Sequence, residues 1–179
     1  MLYLFLADGF EETEAIACLD VIRRGEIAIQ TVSIDQPDVK GAHGISVKAD
    51  LLMDEVTTAH LDGIILPGGM PGTLNLEKDE RISALIEYCY QNNLLIAAIC
   101  AAPSILGKRG LLNGQKAVCF PGFETFLEGA DVRGENCVQS GSFITAKAMG
   151  AAIDFGLAIV ARLKSPDLAE HIRRSICHE

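Results

Sequence analysis

Residues 94–103 read Leu-Leu-Ile-Ala-Ala-Ile-Cys-Ala-Ala-Pro, and this stretch decides the fold. Its first six residues are apolar without interruption at strand length, the pattern of a strand covered on both faces. The strand runs without a spacer into Cys100, and Pro103 then opens a helix reaching residue 106. Proline is tolerated at that point because a first-turn N–H has no intrahelical acceptor to lose. A turn that presents a nucleophile between strand and helix is strained, so its neighbours must be small. Ala97, Ala98, Ala101 and Ala102 meet that demand around Cys100. A buried packing cysteine is the competing reading of the same run. The four alanines and a separate Pro-Gly-Gly turn tip the balance toward chemistry. On this reading the helix N-terminus favours thiolate at Cys100, and the Ala101 N–H forms one half of an oxyanion hole.

Outward from the elbow, the chain alternates strands and helices. Residues 2–7 form an apolar strand ending in Asp8-Gly9, and residues 11–24 show helical spacing with acids first, arginines last and Gly25 as the stop. Residues 27–34 read as a second strand, 41–52 as a short hairpin-like excursion, and 63–66 as a third buried strand ended by Pro67-Gly68-Gly69. Residues 79–92 are helical. Strand signals return at 117–120, 137–138 and 143–145, followed by helices over 149–163 and 166–176. Strands apolar throughout and alternating with helices predict one α/β domain over 1–179, a three-layer sandwich around a mostly parallel sheet. In such sheets function lies beyond the carboxyl ends of the strands, where Asp8-Gly9, Pro67-Gly68-Gly69 and Cys100 all fall. Gly68 and Gly69 supply the other half of the oxyanion hole, since only glycine lets backbone N–H groups approach so closely.

Three glutamates follow the first strand. Glu11 and Glu12 read as solvated partners of the helix dipole. Glu14 lies one turn in, beside Ala15 and Ile16. If it faces the sulfur, two anions cannot share a dry site, so one proton stays, on a Glu14 carboxyl that donates to the thiolate and holds Cys100 ionised. Composition bounds the rest. With 179 residues, 49% hydrophobic and a net charge of -9, the chain is globular in type and poorly suited to nucleic acid or an anionic membrane. Six cysteines at about 3% fall well short of a disulfide scaffold. No signal peptide or membrane-length apolar run is evident, so a reduced cytoplasmic protein is the expectation. There is no Cys-x-x-Cys or His-x-x-x-His, and residues 68–72 lack the Lys-Ser/Thr of a phosphate loop. Neither a metal nor a cofactor is expected.

Residues 6–15 (Leu-Ala-Asp-Gly-Phe-Glu-Glu-Thr-Glu-Ala), 66–69 (Leu-Pro-Gly-Gly), 97–103 and 152–157 (Ala-Ile-Asp-Phe-Gly-Leu) together resemble the DJ-1/ThiJ/PfpI family, in its DJ-1-like bacterial branch. The resemblance spans nearly the whole chain in order. It implies a flavodoxin-like sandwich related to class I glutamine amidotransferase domains, usually a homodimer. It also implies Cys100 as the reactive elbow cysteine, Glu14 as its acid partner, and the Gly69 and Ala101 amides as oxyanion donors. Activities of such proteins include cofactor-free conversion of methylglyoxal to lactate, deglycase action, redox sensing through cysteine oxidation and holdase chaperoning. The expected substrate is thus a small aldehyde or ketoaldehyde. One departure stands out. Members with a Cys–His pair carry histidine where this chain reads Cys119-Phe120-Pro121, so Phe120 fills that slot and lines the pocket with Cys119. His43, in the 41–44 loop, reads first as a surface residue, with a place in the pocket the alternative.

Overall fold

The computed structural model describes residues 1–178. Its core is a seven-stranded sheet. In chain order these strands are β1 (Leu2–Leu6), β2 (Ile29–Ser33), the two-residue β5 (Leu51–Leu52), β6 (Gly63–Leu66), β7 (Leu95–Ile99), β10 (Cys137–Ser140) and β11 (Phe143–Ala146). Two small ribbons lie outside it: the antiparallel hairpin of β3 (Asp38–Lys40) and β4 (Ser46–Lys48), and β8 (Lys116–Ala117) beside β9 (Asp131–Val132). The sheet order is β10-β11-β7-β6-β1-β2-β5. Every pairing is parallel except β10 with β11. Leaving out its edge strands, the order is the doubly wound arrangement of flavodoxin-like folds.

The helices are α1 (Glu12–Arg24), α2 (Gly72–Lys78), α3 (Glu80–Gln91), α4 (Pro103–Lys108), α5 (Ala152–Leu163) and α6 (Pro166–Ser175). β1 shows why the core has two halves. Leu2, Leu4 and Leu6 point into one cluster with Cys18, Ile22, Phe155 and Ile159, from α1 and α5. Tyr3 and Phe5 point into the other with Ile82, Ile86 and Leu106, from α3 and α4. Alternate side chains of a strand leave opposite faces, so an uninterrupted apolar run needs helices on both. α1 runs from its Glu11 cap, whose carboxylate accepts from the Glu14 N–H, to Gly25. α1 packs closely on α5 at Gly156, where an added Cβ would stand 2.9 Å from Val21 Cβ and 3.3 Å from Cys18 Cα.

Two sequence expectations change. The hairpin spans 38–48, with its turn at 41–45, instead of 41–52. The strand expected over 117–120 is confined to Lys116–Ala117. Beyond it the backbone bonds elsewhere, Val118 N–H to Thr145 Oγ1 (3.0 Å) and Phe120 N–H to the Cys100 carbonyl (2.7 Å). Residues 72–78, which the sequence reading left unassigned, form a helix. Its first turn closes through Thr73 N–H to the Gly69 carbonyl and Asn75 N–H to the Pro71 carbonyl, and Leu76 is fully buried.

The α1–α5 contact generates a stability test. Gly156→Val places two methyl groups against Val21 and overpacks the seam, for an expected loss of about 1–3 kcal/mol. Urea unfolding of the purified variant measures it, and an unchanged midpoint would contradict the close approach.

Candidate active site at the Cys100 elbow

β7, β6 and β1 are neighbours and parallel, so their carboxyl ends open on one edge of the sheet. Cys100 follows β7 at φ +64°, a left-handed conformation that costs a residue with a side chain on the order of 1–3 kcal/mol. Main-chain bonds on both sides hold it there. Its N–H donates to the Ala146 carbonyl (2.9 Å), and its carbonyl accepts from the Phe120 N–H (2.7 Å). The four flanking alanines are all buried, which leaves the turn no bulk to accommodate.

Glu14 comes to the sulfur from α1. It is 1% exposed, and its Oε2 accepts the Gly68 N–H at 2.9 Å while the carboxyl is hydrogen-bonded to the Cys100 thiol. Gly68 is what permits the meeting. A Cβ there would stand 2.5 Å from Cys100 Cβ and 2.7 Å from Glu14 Oε2, in the space the pair occupies. Gly69, at φ +90°, turns its N–H toward the sulfur, as Ala101 does. The structure therefore brings Cys100, Glu14, Gly69 and Ala101 together with Gly68, whose N–H is spent on Glu14 and is not the oxyanion donor the sequence suggested. Phe120 joins them through its backbone, with its ring 42% exposed, while Cys119 beside it is buried.

Electrostatics correct one expectation. α4 has only six residues, a short source of dipole, and the thiol is not shifted toward thiolate. Burial first, and then the Glu14 charge, push Cys100 up to about 12 against the lowering pull of the Gly69 and Ala101 amides. Burial likewise lifts Glu14 to about 7, with the Glu11 charge adding to it, against hydrogen bonds from Cys100 and Gly68. The two groups ionise as a pair. They release one proton near neutrality, from Glu14, and hold the second on the sulfur, so the retained proton belongs to the thiol and not, as expected, to the carboxyl. The arrangement can thus do one thing well: the carboxylate form of Glu14 takes the thiol proton as the sulfur attacks an electrophile.

His43 takes the surface position expected of it, while Glu12 lies differently from the sequence reading. Glu12 is 6% exposed, not solvated. It accepts the His43 N–H (2.7 Å), the Ile45 N–H (3.3 Å) and a contact from His43 Nδ1 (2.8 Å). Burial acts to raise its pKa, but these bonds outweigh it and draw the carboxyl down to about 2. His43 is mostly exposed and raised by its bond to Glu12, and none of its hydrogen bonds reaches Cys100 or Glu14. Glu11, Glu12 and His43 each offer a ligand atom within 4.8 Å of the others, the one such cluster among the described residues. Both Glu12 oxygens are already committed to the hairpin turn. Local sequence could not signal this burial, because the donors come from a turn about thirty positions away.

A strained elbow cysteine on a doubly wound sheet, backed by a buried carboxyl and two backbone N–H groups, defines the class of elbow-cysteine α/β proteins. Residues 1–162 match the model of the DJ-1/PfpI family, and the chain belongs to that family. It is 33% identical over 170 residues to protein DJ-1 homolog B of Arabidopsis thaliana, covering 93% of this chain and 39% of that protein. The chain thus spans about two fifths of the length of that relative. It is 30% identical over 177 residues to a glutathione-independent glyoxalase of Caenorhabditis elegans, covering 98% and 95% of the two chains. Among solved structures, a DJ-1 superfamily protein of Salmonella typhimurium aligns at TM-score 0.94 and 30% identity, covering 99% and 98%. DJ-1 of Toxoplasma gondii, in an oxidised form, aligns at TM-score 0.93 and 32% identity, covering 99% and 97%.

The coupled pair yields a pH prediction. Alkylation of Cys100 by iodoacetamide, followed by peptide mass, rises as pH passes through about 7, where Glu14 becomes a base. Glu14→Gln removes that inflection and leaves only a rise at higher pH. A variant that kept the inflection would assign it elsewhere. Stability runs the opposite way. An unfolded glutamate ionises near 4.5 and the folded one near 7, so stabilisation from the neutral carboxyl is complete below 4.5 and lost as pH climbs to 7. Glu14→Gln is therefore expected to stabilise the fold above pH 7 by on the order of 1–3 kcal/mol in urea titrations.

Proposed function

We propose that this chain, as a single domain, is a cofactor-independent enzyme that converts 2-oxoaldehydes such as methylglyoxal to 2-hydroxy acids. The observation that carries the reading is the buried Glu14 carboxyl hydrogen-bonded to Cys100, with the Gly69 and Ala101 amides on the same sulfur. A relative of nearly equal length is named a glutathione-independent glyoxalase, which supports the substrate class.

The steps follow from those groups. Glu14 takes the thiol proton as Cys100 Sγ bonds to the aldehyde carbon, and the proton passes to the new oxyanion to give a hemithioacetal. The Gly69 and Ala101 N–H groups stabilise that oxygen while it carries charge. The carboxylate then removes the hydrogen of the former aldehyde carbon as a proton, and the electron pair left behind forms an enediolate with its charge on the former ketone oxygen. Glu14 returns that proton to the neighbouring carbon while the hydroxyl proton moves from the former aldehyde oxygen to the former ketone oxygen, which leaves a thioester of the 2-hydroxy acid on Cys100. Water cleaves the thioester, releasing the acid and restoring the thiol, so the net change is addition of one water. With Phe120 in place of an imidazole, Glu14 is the one acid–base evident at the sulfur, and turnover is modest.

Two further expectations belong to this reading. Ile16 and Ile45 are exposed apolar side chains on either side of Glu12, one turn along α1 and at the hairpin tip, and they suit a homodimer contact. All six cysteines are free, which suits a reducing cytoplasm as the compartment. No described helix is long and apolar enough to cross a membrane.

A second reading rests on the same sulfur. The oxidised Toxoplasma gondii relative and the two amides facing Sγ favour a redox sensor in which peroxide adds oxygens to Cys100.

Incubation with methylglyoxal is expected to yield lactate. Cys100→Ala abolishes the reaction and Glu14→Gln lowers kcat by about 100-fold or more. Full turnover in Cys100→Ser would refute the thiol mechanism. A mass gain of two oxygens at Cys100 under mild peroxide, with no lactate formed by untreated protein, would favour the sensor.

A further inference from the structure

Glu12 is a buried, ionised carboxylate that touches neither Cys100 nor Glu14, and the mechanism above does not use it. Its partners all lie on the hairpin turn. The His43 and Ile45 amides converge on Oε1 and the His43 ring on Oε2. Gly41 packs so tightly that an added Cβ would fall inside the carboxylate. The turn is also fastened to the loop ahead of α1. Gly9 N–H donates to the Lys40 carbonyl (2.7 Å), Ala42 N–H to the Phe10 carbonyl (2.8 Å), and Lys40 N–H to Asp8 Oδ1 (2.9 Å).

The other side of that loop rests on the oxyanion segment. Glu11 N–H donates to the Gly68 carbonyl (2.9 Å) and Gly72 N–H to the Gly9 carbonyl (3.2 Å). At Gly69 an added Cβ would run into Glu11 N and Gly9 O, so the two backbones touch without intervening side chains. Glu11 also caps the turn that carries Glu14, accepting its N–H at 2.6 Å. A continuous stack therefore runs from the 41–45 turn through residues 8–12 to Gly68, Gly69 and Glu14.

We propose that Glu12 is a positioning residue, whose clamp on the 41–45 turn sets the register of residues 8–12 and hence of the Gly68 and Gly69 amides and Glu14 against Cys100 Sγ. As a statement about turnover this rests on the proposed function, while as a statement about the thiol it does not.

The test measures kcat and KM for methylglyoxal and the pH dependence of Cys100 alkylation, on the full chain. Glu12→Ala strips the acceptor from both turn amides. The expected result is a kcat lowered about tenfold or more, since small displacements of positioned groups act on the chemical step. KM stays within about threefold, and the alkylation inflection moves away from its wild-type value near 7. Glu12→Gln keeps an oxygen for both amides and recovers most of the rate. Gly41→Ala disturbs the clamp from the opposite side and gives the same signature, which decides the matter if Glu12→Ala does not fold. Folded Glu12→Ala or Gly41→Ala with wild-type kcat and inflection would overturn the proposal. If the unmodified protein makes no lactate, the functional reading fails and the alkylation profile alone judges Glu12. An unmoved inflection would then overturn the proposal and a displaced one would support it.

Discussion

A buried carboxyl facing a thiol is the constraint around which the rest of this molecule is arranged. Burial raises the pKa of both groups, the Glu14 charge raises the thiol's further, and a dry site does not tolerate both charges at once. The fold meets this by surrounding the sulfur with main-chain N–H groups. Gly68 bonds to Glu14, and Gly69 and Ala101 turn toward Cys100. Those amides come from two strand ends brought side by side by a parallel sheet. The glycines are needed because the donors stand where side chains would otherwise be.

The same requirement explains how strain is retained at the elbow. Cys100 holds a left-handed conformation because β11 accepts its N–H and the segment after β8 donates to its carbonyl. Neither bond depends on a polar side chain. Two core halves, each anchored on alternate residues of β1, keep these segments in place. Local strain of this kind persists only where surrounding structure over-determines it.

Much of this was legible in the residues, and the reasons are specific. The 94–103 run declared its strand by continuous apolarity and its elbow by four alanines. Glu14 was set apart from its neighbours by its place one turn into the helix, next to the buried Ala15, although the exposed Ile16 beside it shows that this position alone did not fix which way it faces. Glu12 was not separable. Its burial is produced by amides of the 41–45 turn, and no local pattern announces a cover supplied from elsewhere in the chain. α2 was hidden for a different reason, since Pro71 and Gly72 carry turn signals although the carbonyls of Gly69 and Pro71 stand ready to close its first turn. The thiol's direction of shift was misjudged because helix polarity was weighed without the length of α4 or the depth of burial.

The bond from the Phe120 amide to the Cys100 carbonyl has a consequence for how such a site changes over generations. The bond asks nothing of the side chain at position 120, and the ring there is partly open to solvent. An aromatic and an imidazole can therefore replace one another without loosening the elbow. The scaffold thus holds the elbow by main chain alone and leaves the side chain at position 120 free of that duty. New chemistry can be explored at one position while the strained turn, the costliest feature to rebuild, is inherited unchanged.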